Sequence, residues 1–286
     1  MDITGKTSVL GIIGRPVAHS LSPLMQNAAL EAMGLDWIYV PFAVREEDLP
    51  RAVMGLKTLG VIGFNVTIPH KTAIIPLLDR ITPEAALIGA VNTVKREGDE
   101  LVGYNTDGAG FIKSLREDLG FDPAGRRILV LGAGGAARAA VASLSQAGAA
   151  VVAIANRSHG RGEKLAGEFS AVFSGTQFAA KSLDISLFNS EVQNFDLLVN
   201  TTSVGMGESA FDGLDISRMK QTASVYDMVY APWETPLLAQ ARKAGLSCAN
   251  GIGMLVAQGE CALSIWSGME PPTGVMRRRI LTVLNR

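Results

Sequence analysis

Cysteine is nearly missing. Cys248 and Cys261 are the only two in 286 residues, and neither belongs to a CxxC. A disulfide framework and a zinc site therefore lack their ligands. Two free thiols suit a reducing compartment, so the expected location is the cytoplasm. Histidine is scarce too: His19, His70 and His159 have no ligand spacing between them, and no metal site is expected. Neither sign of charge is in excess, with 26 basic and 27 acidic residues leaving a net charge of −1. That balance argues against a nucleic-acid footprint. The densest basic run, Arg277, Arg278 and Arg279, reads as the solvated face of a terminal helix. No apolar run is long and uniform enough to span a bilayer. The opening MDITGKTSVLGIIG has neither the basic start nor the long apolar stretch of a signal peptide. No internal repeat or low-complexity segment stands out.

What is present is core. Hydrophobic residues make up 48% and charged residues 19%, enough for two domains of ordinary size. SVLGIIG (8–14) reads as a buried strand. HSLSPLMQNAALEAMG (19–34) reads as a helix capped by Ser22, with Pro23 at its first position and Gly34 as its stop. WIYVPFAV (37–44) is a strand, 46–60 a helix and VIGFNVTI (61–68) another strand. That alternation predicts a mostly parallel α/β sheet. A helix over 82–90 and a hairpin over 92–106, turning at GDE, follow.

A second α/β pattern begins near residue 109. An amphipathic helix (108–120) leads to RRILVLGAGGAARAAVASLSQAG (126–148), a strand, a glycine turn and a helix. AVVAIANRS (150–158), FDLLVNTTSVGM (195–206) and SVYDMVYAP (224–232) are further strands with polar exits, and a long helix (253–269) and a last short one close the chain. Gly132, Gly134 and Gly135 stand where a tight turn lets backbone N–H groups approach a pyrophosphate at a helix N-terminus. Ala137 takes the place of the third glycine of GxGxxG. The next strand ends in Asn156-Arg157-Ser158, with Arg161 nearby. An NAD site usually places a carboxylate there for the ribose hydroxyl; guanidinium groups suit a 2′-phosphate instead. The expected cofactor is NADP(H). The competing interpretation makes Arg157 and Arg161 ordinary surface charges.

In open α/β sheets ligands collect at the carboxyl ends of strands. Polar residues cluster at such exits: Ser20 and Ser22 after the first strand, Asn65, Thr67 and Lys71 in GFNVTIPHK, Asn92 in GAVNT, Asp107 in YNTDG. This set suits a hydroxylated, carboxylated small molecule, and the expectation is that Asn65, Thr67 and Lys71 leave the core to meet it. The motifs GRPVAHSLSP, GFNVTIPHK, IGAVNT, YNTDGAGF, LGAGGAARA, ANRS, YDMVYAP and GIGMLVAQ, in this order and across nearly the whole chain, resemble the shikimate dehydrogenase family. SLSP, NVTIPHK and NTD are the specific parts.

The resemblance implies two α/β domains with the active site in the cleft between them. Residues 1–107 plus 251–286 would bind substrate, and 108–250 would form a Rossmann-like NADP domain. It implies reversible NADPH-dependent reduction of 3-dehydroshikimate to shikimate, on the route to chorismate and the aromatic amino acids. Lys71 and Asp107 match the catalytic pair. Ser20 and Ser22 match the hydroxyls that bind the substrate carboxylate, assisted by Tyr230. Thr67, Asn92 and Gln258 match residues that hold the ring hydroxyls. Gly132, Ala133, Gly134, Gly135, Ala136, Asn156, Arg157, Ser158 and Arg161 match cofactor contacts, and Met228 and Gly251 match positions lining the nicotinamide. Ser158 stands where the family often has Thr, which keeps a hydroxyl.

The chemistry agrees with these residue types. Ketone reduction adds a hydride to carbon and a proton to oxygen, and an ammonium can hydrogen-bond that oxygen and donate the proton. Asp107 would fix the lysine and bind a substrate hydroxyl; capping the helix it precedes is compatible with that role. His19 and His70 are read as loop packing or hydrogen-bonding residues, and Met254 and Met269 as core. Gln258 lies four residues after Met254, on the same helical face. Three rivals stand beside this reading: a quinate/shikimate dehydrogenase of broader substrate or cofactor use, a non-catalytic ligand sensor, and a related enzyme acting on a folate. Lys71 and Asp107 speak against the sensor, SLSP and NTD against the folate enzyme. Neither motif nor composition separates a monomer from a homodimer.

Overall fold

The computed structural model describes residues 2–182, 189–207 and 209–284. The chain divides into two compact units, Met1–Gly110 with Leu255–Arg286, and Phe111–Met254. The first begins with β1 (Ser8–Gly14), α1 (Ser22–Ala32), β2 (Trp37–Ala43), a short 3₁₀ turn, α2 (Leu49–Thr58) and β3 (Gly63–Val66). Then come β4 (Arg80–Ile81), α3 (Pro83–Ile88), β5 (Thr93–Glu97) and β6 (Glu100–Tyr104); α4 (Asp107–Leu119) follows, its residues from Phe111 on belonging to the second unit. β1 runs parallel to β2 on one side and to β3 on the other. All four residues of β3 are buried, as expected of a strand covered on both faces. Beyond β3 the sheet changes sense. β5 and β6 form an antiparallel hairpin with a Gly98-Asp99 turn, Glu97 pairing Glu100, and short β4 closes the edge parallel to β6. The sheet order is β2-β1-β3-β5-β6-β4.

The helix after β1 starts differently from expectation. Leu21 holds the cap position without a side-chain bond, and Ser22 is already helical. A residue already inside the first turn lies past the cap position, so Ser22 does not cap. Thr82 does cap α3, accepting from Ala85 N.

The second unit runs β7 (Arg127–Leu131), α5 (Gly135–Gln146), β8 (Val151–Asn156), α6 (His159–Ser170), β9 (Gln177–Ser182), β10 (Leu197–Asn200), β11 (Ser224–Asp227), α7 (Pro236–Lys243) and β12 (Ser247–Asn250). All six strands are parallel, in the order β12-β11-β10-β7-β8-β9. This is the doubly wound dinucleotide-binding order, with its switch point between β7 and β10. Leu129, Leu131, Leu198, Val225 and Leu238 help fill one of its core layers. α6, β9, α7 and β12 lie outside the elements expected from the sequence, although α7 carries a start signal, the Thr235 cap followed by Pro236. α8 (Ile252–Ser267) and α9 (Val275–Val283) complete the chain. Among the described residues no helix is long and apolar enough to cross a membrane.

Candidate active site

The carboxyl ends of β1 and β3 and the hairpin β5–β6 bring Lys71, Asp107 and Asn92 into one network. Lys71 Nζ donates to Asp107 Oδ2 at 2.6 Å, with side-chain exposures of 17% and 6%. The other Asp107 oxygen accepts from Asn92 Nδ2 at 2.9 Å. The second Asn92 amide hydrogen goes to Thr106 Oγ1 at 2.9 Å, while Asn92 Oδ1 accepts from Thr106 N at 2.8 Å. Asn92 is thus fully used by the protein, and a ring hydroxyl reaching it would have to replace one of these bonds. Asp107 does not cap α4: Asn105 Oδ1 accepts from Asp107 N and Gly108 N, leaving the Asp107 carboxylate for Lys71 and Asn92.

Asn65 corrects the expectation that it leaves the core. It is 5% exposed. Its amide donates to Asn92 O and Thr93 Oγ1 and its oxygen accepts from the Tyr39 hydroxyl at 2.7 Å. A buried polar line thus runs Tyr39–Asn65–Asn92. Burial pushes the Tyr39 hydroxyl well above its ordinary value. Tyr39, Asn105 and Thr106 are therefore parts of the site that sequence reasoning missed; the run YNTD around Asp107 was the available signal for two of them.

Ser20 Oγ accepts from Ser22 N at 3.3 Å, and Thr67 follows β3, its N–H bonded to Ile13 O. Gln258 is nearly buried on α8 and donates to Leu255 O within its own helix. His70 is buried, its Nε2 paired with Val44 O at 2.9 Å, which matches a loop-packing role. His159 lies exposed beside Glu163.

In the second unit Gly132 follows β7 with φ +111°, and a side chain there would meet Thr201 Oγ1 at 2.6 Å. Only glycine fits that turn. Gly134 faces open space and α5 starts without a side-chain cap, so backbone N–H groups are left for an anion. Ala133, Gly135 and Ala136 complete the turn, half-buried. Asn156 Nδ2 donates to Ser158 O, holding the end of β8. Arg157 and Arg161 are exposed and, among the described residues, have no carboxylate partner. A turn that admits a pyrophosphate, followed by two unpaired guanidinium groups, is the right chemistry for a dinucleotide with a 2′-phosphate. Met228 and Gly251 meet: a side chain at 251 would lie 2.1 Å from Met228 O. Tyr230 stands after β11, its hydroxyl pushed up by burial. Among the described residues no three His, Cys, Asp or Glu side chains are grouped to hold a metal ion.

A doubly wound nucleotide unit, joined to a mixed-sheet unit carrying a lysine–aspartate pair, is the build of a pyridine-nucleotide oxidoreductase. Family models match along the chain: a shikimate dehydrogenase substrate binding domain over residues 12–94, shikimate/quinate 5-dehydrogenase over 115–221, and a shikimate 5′-dehydrogenase C-terminal domain over 251–281. A shikimate dehydrogenase (NADP(+)) of Geobacter metallireducens is 82% identical over 286 residues, covering all of both chains. A crystal structure of a shikimate dehydrogenase in complex with NADP+ is 40% identical, with a TM-score of 0.89, covering 100% of this chain and 98% of that one. The Thermus thermophilus shikimate 5-dehydrogenase, in complex with NADP(H) and shikimate, is 35% identical with a TM-score of 0.84, covering 97% and 100%. The chain belongs to the shikimate dehydrogenase family.

Proposed function

We propose that this protein is an NADP-dependent dehydrogenase that interconverts 3-dehydroshikimate and shikimate on the route to chorismate. The unit Met1–Gly110 with Leu255–Arg286 holds the substrate, and Phe111–Met254 holds NADP(H). The observation that carries the reading is the short Lys71–Asp107 pair tied to Asn92. Bound NADPH supplies the hydride. Lys71 keeps two N–H donors beyond the one given to Asp107; one hydrogen-bonds the ketone oxygen and delivers its proton, and in the reverse direction the neutral amine takes it back. Asp107 holds the ammonium in place and offers an acceptor to a neighbouring ring hydroxyl. Ser20 and Ser22 bind the substrate carboxylate through their hydroxyls, with Tyr230 assisting, and Thr67, Asn92 and Gln258 hold the ring hydroxyls. On the nucleotide side the turn Gly132–Ala136 receives the pyrophosphate. Asn156, Arg157, Ser158 and Arg161 take the adenosine ribose and its phosphate. Met228 and Gly251 line the nicotinamide. The enzyme works in the cytoplasm, where its two thiols stay reduced, as a monomer or a homodimer.

The test is formation of reduced nicotinamide with shikimate or quinate and with NADP+ or NAD+. Turnover with shikimate and NADP+, weak or absent with the other pairs, is the expected result. Comparable turnover with quinate or NAD+ would move the chain to the broader-specificity relatives. Binding of shikimate without turnover in any pairing would contradict an enzymatic role.

A further inference from the structure

A buried acid in the second unit has no part in the chemistry above. Asp227 ends β11 and is 0% exposed. Among the described residues its carboxylate accepts only from neutral donors: Asn200 Nδ2 at 2.8 Å, Val229 N at 3.0 Å and Thr235 Oγ1 at 2.6 Å. Burial holds its pKa above the ordinary value, and the bonds from Thr235, Val229 and Asn200 pull the other way without cancelling that effect. An apolar residue here would avoid burying a carboxylate but would strand three donors.

Those donors belong to the loops that carry the cofactor candidates. Asn200 ends β10 and sits beside Asp227 in the ladder. Its amide also donates to Val204 O, and its oxygen accepts from Thr202 N and Thr202 Oγ1, shaping the exit of β10. Thr201 in that exit donates its hydroxyl to Leu131 O, beside the Gly132 turn. Gly205, with φ +104°, packs the same loop onto Thr235. Thr235 caps α7. Val229 N–H lies between Met228 and Tyr230, and Val229 O accepts from Gly251 N. One carboxylate thus gathers the exits of β10 and β11 and the start of α7.

We propose that Asp227 is a positioning residue for hydride transfer: through Val229 N–H, Asn200 and Thr235 it sets the stretch Met228–Tyr230 that borders the nicotinamide. The inference rests on the function proposed above. It concerns the nicotinamide end alone, because the adenosine end is held by the separate groups after β8.

The experiment compares wild type with Asp227→Ala, Asp227→Asn and Thr235→Val. It reads kcat with shikimate and NADP+, the shikimate KM, and the affinity for adenosine 2′,5′-bisphosphate, a probe with no nicotinamide. In Asp227→Ala, kcat should fall at least about tenfold through misplacement, while probe affinity stays within about twofold of wild type and the shikimate KM, which Tyr230 helps set, rises by less than kcat falls. Asp227→Asn should recover most of the rate, since its oxygen can face Val229 N–H and Asn200 while its amide faces the Thr235 hydroxyl. The near-isosteric Thr235→Val, which removes one donor, should lose about threefold in kcat. It also serves if Asp227→Ala does not fold. Unchanged kcat in the folded variants would overturn the proposal. So would parallel loss of rate and probe binding, the sign of general structural support. A wild type that does not oxidise shikimate would instead remove the underlying function, and the proposal with it.

Discussion

The two units build their ligand edges by opposite means. In Met1–Gly110 with Leu255–Arg286 the polar groups already satisfy one another: Lys71 with Asp107, Asp107 with Asn92, Asn92 with Thr106, Asn65 with Tyr39. At the glycine edge of Phe111–Met254 the groups wait for a partner: Gly134 faces open space, α5 is uncapped, and Arg157 and Arg161 have no carboxylate among the described residues. For the proposed function the first edge would be preorganised for chemistry, where a proton must be delivered along one direction. The second would be a cradle for fixed negative charge, where unpaired donors supply affinity.

That contrast can be broken from either side. The largest effect is expected in the self-paired network. Asp107→Ala leaves Lys71 without its counter-charge and strands an Asn92 donor, so breaking the pair should cost stability on the order of 3 kcal/mol. The same change should cut kcat by ~10²-fold or more through loss of lysine position, measured by steady-state kinetics beside thermal melts. A smaller effect is expected at the cradle. Arg157→Ala should raise the KM for NADP+ by about tenfold, the worth of a charge-assisted bond to phosphate, and leave the KM for NAD+ nearly unchanged. Equal losses for both cofactors would mean that Arg157 does not face the 2′-phosphate.

The smallest effect lies away from both edges and calibrates them. Burial alone would raise the Asp196 carboxyl, but hydrogen bonds from Lys220 and Arg127 N–H, with the charges of Lys220 and Arg126, bring it below its ordinary value of 3.8. A folded-state pKa below the unfolded one gives stability that is present above 3.8 and lost as the pH falls through the folded value. Lys220→Met should therefore cost at most about 1 kcal/mol at neutral pH, with the difference fading under acid, read from melts across pH.

The cradle was legible in the sequence and the network only partly so. Glycines between a strand and a helix, and arginines where an acid would stand, are local signals that need no distant partner to be seen, although surface charge remained a competing interpretation of the arginines. Lys71, Asp107 and Asn92 could be named and the Lys71–Asp107 pairing expected, but the bonds from Asn92 to Asp107 and Thr106 could not. Asn65 shows why. A polar residue near a strand end looks ready to leave the core, and nothing local reveals that Tyr39, 26 residues earlier, supplies a buried partner. Ser22 looked like a helix cap, but the helix begins with it and leaves Leu21 at the cap position. The strands over 195–206 and 224–232 were read as having polar exits, and only the parallel register that sets Asn200 beside Asp227 shows a shared carboxylate. In the fold, strong apolar runs declared themselves. The strands β9 and β12 did not, because QFAAKS and SCAN are mixed, half-exposed sequences that depend on their neighbours for pairing.

The measurement that tests the central claim most directly is the split between shikimate affinity and turnover in Lys71→Ala. The account predicts a kcat lower by ~10²–10⁴-fold, with the shikimate dissociation constant changed by less than about tenfold. A near-normal kcat in that variant would contradict it and remove Lys71 from the proton transfer.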